Sequence, residues 1–155
     1  MLPFPSGVFE GSGHWINQHA EGDYTARYEI SDGADGAKLH AVRRVFLNAD
    51  GSTLYVEETT VTFTPASRNR LTVVVSGPKG SVTGAGYCFG NRCHYEADVA
   101  PGTRLEFSLT CYQGEIDGVA SSANKDNFTS WRETLSVVLP AAEPDGIGLY
   151  SPGSG

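Results

Sequence analysis

The sequence predicts an all-β fold, a single antiparallel up-and-down barrel of about nine or ten strands, from three observations. Short runs in which apolar and polar residues alternate recur along the chain, turns rich in Gly, Asn, Asp and Pro separate them, and no helical period outlasts a turn or two. Composition agrees: charged residues are 19%, with 19 glycines and one methionine, a profile that suits turn-rich β structure. An all-β chain avoids exposed edges by closing, and consecutive hairpins close most simply into a barrel; a two-sheet sandwich is the competing arrangement.

Taken in order, Val8 to Trp15 is the first strand. It places Gly11, Gly13 and Trp15 on one face, as a sharply bent strand at a barrel seam would, with Trp15 covering the end of the core. Asp23 to Ile30 puts Tyr24, Ala26, Tyr28 and Ile30 on one face. Ala37 to Asn48 offers Leu39, Ala41, Arg43, Val45 and Leu47 as an apolar face that carries one charge, Arg43. Thr53 to Thr64 changes from one apolar face to the other along its length, which predicts a bulge near Glu58. Leu71 to Ser76 is a short valine-rich strand.

The hairpin from Ser81 to Val99 is the central unit. Gly90-Asn91 suits a two-residue turn; pairing Phe89 with Arg92 then sets Cys88 opposite Cys93, with their sulfurs adjacent. Gly84 and Gly86 share that face, and if it is the inner one they leave room for a ligand pocket. Arg104 to Cys111 follows with Leu105, Phe107, Leu109 and Cys111 inward. Gln113 to Thr129 reads as a long irregular loop. The last strand, Trp131 to Leu139, carries Glu133 as a lone charge on an apolar face. Residues 1–141 thus form one barrel domain and 142–155 a flexible tail rich in turn formers.

A net charge of −7, with no stripe of Lys or Arg, argues against nucleic acid and against an anionic membrane surface as partners. No stretch approaches the length of a membrane span, and Met1 to Ser6 lacks the features of a signal peptide, so a cytoplasmic location is expected. A reducing compartment makes two buried thiols the default for Cys88 and Cys93, with a cross-strand disulfide as the alternative. Cys111 reads as core filler.

Phe9-Glu-Gly-Ser-Gly-His-Trp15 at the start and Trp131-Arg-Glu-Thr-Leu-Ser-Val137 at the end, with about nine meandering strands between, give the chain a resemblance. It resembles the calycin superfamily, which contains lipocalins, fatty-acid-binding proteins and nitrobindin-like proteins; Gly13-His-Trp15 matches the lipocalin Gly-x-Trp pattern. The resemblance implies a barrel that takes a small hydrophobic or amphipathic molecule. Two departures limit it. The last histidine is His94, with none on Trp131 to Leu139 to hold haem, and Arg132 is followed by Glu133 and Thr134 instead of the Arg-x-Tyr clamp for fatty acids. Neither haem nor any other cofactor is expected.

Arg43, Glu58 and Glu133 are the charges expected to face inward, with Tyr24, Tyr28, Tyr95 and Trp15 as further ligand-binding candidates. A charge removed from water must be paired, so Arg43 is expected to meet Glu58 or Glu133, or to receive the polar head of a ligand. His14, His19, His40 and His94 have no metal-binding spacing and read as surface or capping residues. No nucleophile elbow, phosphate loop or metalloprotease motif occurs. Non-catalytic binding of a small hydrophobic or amphipathic ligand is therefore the first expectation. An enzyme using Glu58 or Glu133 as a buried base with Arg43 or a tyrosine is the second, and an interaction module with a filled core the third; no catalytic residue is assigned, and the oligomeric state is left open.

Overall fold

A computed structural model describes residues 2–140, with side chains described as far as Val138. The expected tail, 142–155, lies outside the described residues. Ten antiparallel strands follow one another: β1 (Gly7–Asn17), β2 (Glu21–Asp32), β3 (Lys38–Leu47), β4 (Thr53–Pro65), β5 (Arg70–Gly77), β6 (Gly80–Phe89), β7 (Arg92–Ala100), β8 (Thr103–Tyr112), β9 (Glu115–Ala123) and β10 (Phe128–Pro140). Each pairs with its neighbours in sequence, and β1 pairs with β10, so the sheet closes as an up-and-down barrel. A short 3₁₀ turn, Ala34–Gly36, is the sole departure from strands and turns among the described elements. No helix of the described residues is long and apolar enough to cross a membrane.

The hairpin of β6 and β7 has the expected register: Phe89 pairs with Arg92 and Cys88 with Cys93, and Gly90 takes the positive φ (64°) that the turn needs. The two cysteines are joined as a disulfide, with Cα atoms 4.0 Å apart, in place of the two thiols expected by default. Directly opposed inward positions on adjacent strands bring the sulfurs together. Cys111 is a buried free thiol, as core filler should be, and burial pushes its pKa up to about 12.

Gly84 and Gly86 do not open a pocket. A Cβ at Gly86 would overlap the His94 carbonyl oxygen and lie 2.7 Å from the Tyr95 Cα, and one at Gly84 would lie 2.8 Å from the Ala97 Cβ. The space is filled by β7, whose backbone approaches closely as the sheet coils. Gly11 plays the same part at the seam, where a Cβ would lie 2.7 Å from the Leu135 Cα on β10.

The segment read as a loop, Gln113 to Thr129, is mostly strand. A tight turn at Gln113-Gly114 leads into β9, which runs from Glu115 to Ala123 beside both β8 and β10. Its inward residues beyond Ile116 are the small Gly118, Ala120 and Ser122, so no large apolar residues mark the alternation. The bulge expected near Glu58 is also absent. β3 and β4 pair without a break from Lys38 with Phe63 to Phe46 with Tyr55, and the register shifts only beyond Phe46.

The core fills the barrel from the end closed by the N-terminal lead-in. Leu2 and Phe4 are buried there, and the Phe4 ring lies against His40 and Phe63 at centroid distances of 4.5 and 4.7 Å. Above them, Tyr28, Val73, Tyr95, Phe107, Leu109, Ile116 and Leu135 pack into one cluster.

Candidate functional site

β2 sets the inner face of β3. Tyr24, Ala26, Tyr28 and Ile30 point inward and pair with Phe46, Arg44, Val42 and His40, so these four residues also face the core. The expectation for Arg43 is thereby corrected: its side chain is on the outer wall, where it pairs with Glu58 at 3.3 Å, and both are exposed. The apolar count of Leu39, Val45 and Leu47 pointed to the wrong face. The true inner face carries the polar residues Lys38, His40 and Arg44, of which His40 and Arg44 are buried.

Arg44 is buried because Glu133 is. Glu133, on β10, is inward as expected and fully buried. The guanidinium donates Nε to Oε1 at 2.8 Å and Nη2 to Oε2 at 2.9 Å, a bidentate pair. Tyr24 donates its hydroxyl to Oε1 at 2.8 Å, and Tyr28 donates to Oε2. Arg44 Nη1 also donates to Glu57 Oε1 on β4, at 3.3 Å, and the guanidinium lies 5.7 Å from the centre of the Phe107 ring.

Glycine makes the arrangement possible. Glu133 pairs with Gly13 on β1 and with Gly118 on β9, so neither lateral neighbour has a side chain. A Cβ on Gly13 would overlap the Tyr24 phenol that reaches Glu133, and one on Gly118 would lie 3.2 Å from the Glu133 Cγ.

Burial alone would raise the pKa of Glu133. The charge of Arg44, its hydrogen bonds and the two tyrosine hydroxyls outweigh it, and the carboxyl is held below its usual range. Burial likewise works against charged Arg44, but Glu133 prevails and the guanidinium pKa rises. Tyr24 and Tyr28 are raised by burial and then by the Glu133 charge, so both stay protonated donors. Tyr95 is buried too and raised by burial, and it stacks on Phe107 at 5.6 Å.

His40 departs from the surface role expected of the histidines. It is fully buried among Phe4, Phe63 and Tyr28, and its Nε2 has no hydrogen-bond partner. Burial pushes its pKa down to about 3, so it is neutral.

Above Arg44 the barrel is open. A cavity of about 490 Å³ occupies this end, lined on its aromatic side by Trp15, Phe46, Tyr55 and Trp131, with Arg44 and Glu57 as its charged residues. Phe46 and Tyr55 stack at 4.8 Å. Trp15 and Trp131 are paired across the β1–β10 seam, and the indole N–H of each is buried without a partner. Trp15 lies flat on Gly22, where a Cβ would come within 2.8 Å of Nε1.

Of the expected ligand-binding residues, the structure therefore brings Trp15 to the cavity, sets Glu133, Tyr24 and Tyr28 beneath its floor, places Tyr95 deeper in the core, and puts Arg43 and Glu58 outside. Sequence reasoning missed Arg44, Glu57, Phe46, Tyr55 and Trp131 as cavity residues. Arg44 could have been found by carrying the alternation of β2 across into β3.

On the outer wall, His94, Glu96 and Glu106 hold potential metal-ligand atoms within 4.8 Å of one another. Two of the three already have partners: His94 bonds Ser108 at 2.8 Å, and Arg104 pairs with Glu96.

No family model matches the chain, and no curated protein matches it. Among solved structures it is similar to the one titled "Crystal Structure of Rv2717c from M. tuberculosis", with a TM-score of 0.63 and 14% identity over 85% of this chain and 91% of that one. At that identity the likeness is one of fold: this chain is a closed antiparallel β-barrel, as its neighbour is.

Proposed function

We propose that the protein binds a small hydrophobic or amphipathic molecule in the open end of its barrel, without catalysis. The observation that carries this reading is the cavity of about 490 Å³, walled by Trp15, Phe46, Tyr55 and Trp131 over a polar floor. That volume is in the range of small-molecule sites, and a few fixed polar groups on an aromatic wall are their usual chemistry. The calycin-like reading of Gly13-His-Trp15 belongs to the same proposal, because Trp15 stands at the cavity beside Trp131 of the last strand.

The catalytic alternative has less support. Glu133 accepts four hydrogen bonds, is held ionised by Arg44 and lies beneath the floor, so it is a poor base and has no open side to offer a substrate. Glu58 is on the outer surface. The filled-core alternative describes the lower barrel but leaves the open end unexplained. Native mass spectrometry of gently purified protein from its own cells tests the proposal. A co-purifying small molecule supports it, and its persistent absence shifts weight to an interaction module.

A further inference from the structure

The charges around the cavity do not cancel. Arg44 and Glu57 are the charged residues that line this space, one of each sign, and Glu133, buried beneath the floor, adds a second negative charge against Arg44. Arg44 is committed to Glu133 through both Nε and Nη2, so the carboxylate left over is Glu57. Its only tie to Arg44 is the 3.3 Å contact from Nη1, and its side chain is 40% exposed while that of Glu133 is 0%. An incoming anion would find all three nitrogens of the Arg44 guanidinium engaged, two by Glu133 and one by the half-exposed Glu57. An incoming cation would find the exposed side of the Glu57 carboxylate, together with the aromatic side chains of Trp15, Phe46, Tyr55 and Trp131.

We propose that the ligand is an organic cation, an amine or quaternary ammonium head carried on an apolar body, with Glu57 as its counter-ion and the aromatic wall as its cage. The inference rests on the binding reading above and narrows it to one chemical class. It differs from the alternative offered by the sequence, in which an inward arginine would receive the polar head of a ligand. A carboxylate ligand could bind Arg44 only by displacing Glu57 and adding a second negative charge above Glu133.

The test uses three probes of one chain length, octyltrimethylammonium, octanol and octanoate, each below its micellar concentration. The readout is intrinsic fluorescence, since Trp15 and Trp131 are the chain's 2 tryptophans and both line the cavity. Octyltrimethylammonium is expected to bind at least about tenfold more tightly than octanol, and octanoate more weakly than either. In Glu57→Gln the ratio of cation to alcohol affinity is expected to fall by at least about threefold, and an unchanged ratio overturns Glu57 as the counter-ion. Octanol or octanoate binding as tightly as the cation overturns this inference while leaving the cavity reading in place. No saturable response to any of the three overturns both.

Discussion

The Arg44 guanidinium grips the Glu133 carboxylate through two hydrogen bonds of 2.8 and 2.9 Å, joining strands 89 residues apart in the chain. A pair at this depth gives little net stabilisation compared with apolar residues of the same shape, but breaking it strands a charge. Arg44→Met is expected to cost about 3–5 kcal/mol in urea unfolding, because Glu133 then lies buried without its counter-ion. Adding Glu133→Leu to that variant should recover much of the loss. Strictly additive losses in the double variant would show that the two residues are not coupled.

Acid should loosen the barrel in two stages. His40 takes its proton near 6.5 when unfolded but only at about 3 when folded. The unfolded chain therefore binds more protons across that window, and stability falls with pH by as much as about 1.4 kcal/mol per unit. Glu133, held below its usual range, adds its own loss as the pH drops beneath that range. His14 opposes the first stage, since hydrogen bonds to Asp23 and Glu21 raise its pKa, but it is exposed and its share is small. Urea midpoints measured from neutral pH downward should flatten above the carboxylate range in His40→Leu. An unchanged slope in that variant would show that another group carries the first stage.

Glycines in the wall should differ sharply in their tolerance of a methyl group. Gly11→Ala and Gly86→Ala would drive a Cβ into the carbonyls of Thr134 and His94 on neighbouring strands, and each is expected to cost at least ~2 kcal/mol. Gly77→Ala meets nothing closer than the Thr59 Cγ2 at 3.7 Å and is expected to stay within about 0.5 kcal/mol of the wild type. Thermal melts of the three variants decide it.

The Cys88–Cys93 disulfide closes a short loop, with a sequence separation of 5. Its reduction is expected to cost about 2 kcal/mol, because even a short closed loop restricts the unfolded chain. Alkylation without reductant should modify Cys111 alone, and only after unfolding, since the thiol is buried. Labelling of all three cysteines without reductant would show that the bond is not formed.

What was legible in the sequence follows from the range over which each signal acts. The Gly90-Asn91 turn and the register of Cys88 with Cys93 depend on adjacent residues, and the turn chemistry specified them. The inner face of β3 depends on Glu133, which neutralises Arg44 from 89 residues away, so the apolar count favoured the wrong face and with it Arg43. β9 was missed because Gly118, Ala120 and Ser122 are small where large neighbours take the room; Phe107 and Glu133 fill the space over Gly118. Gly84 and Gly86 showed that something comes close, and only the neighbouring strand could show that it is backbone and not ligand.

The central claim is that the space over Arg44, between Trp15 and Trp131, is a binding site. Single-tryptophan variants Trp15→Phe and Trp131→Phe, each titrated with the neutral probe N-phenyl-1-naphthylamine, test it most directly. Both remaining indoles should transfer energy to the probe along saturable curves, because one cavity holds them both. A linear, unsaturated response from either remaining indole would contradict a shared site.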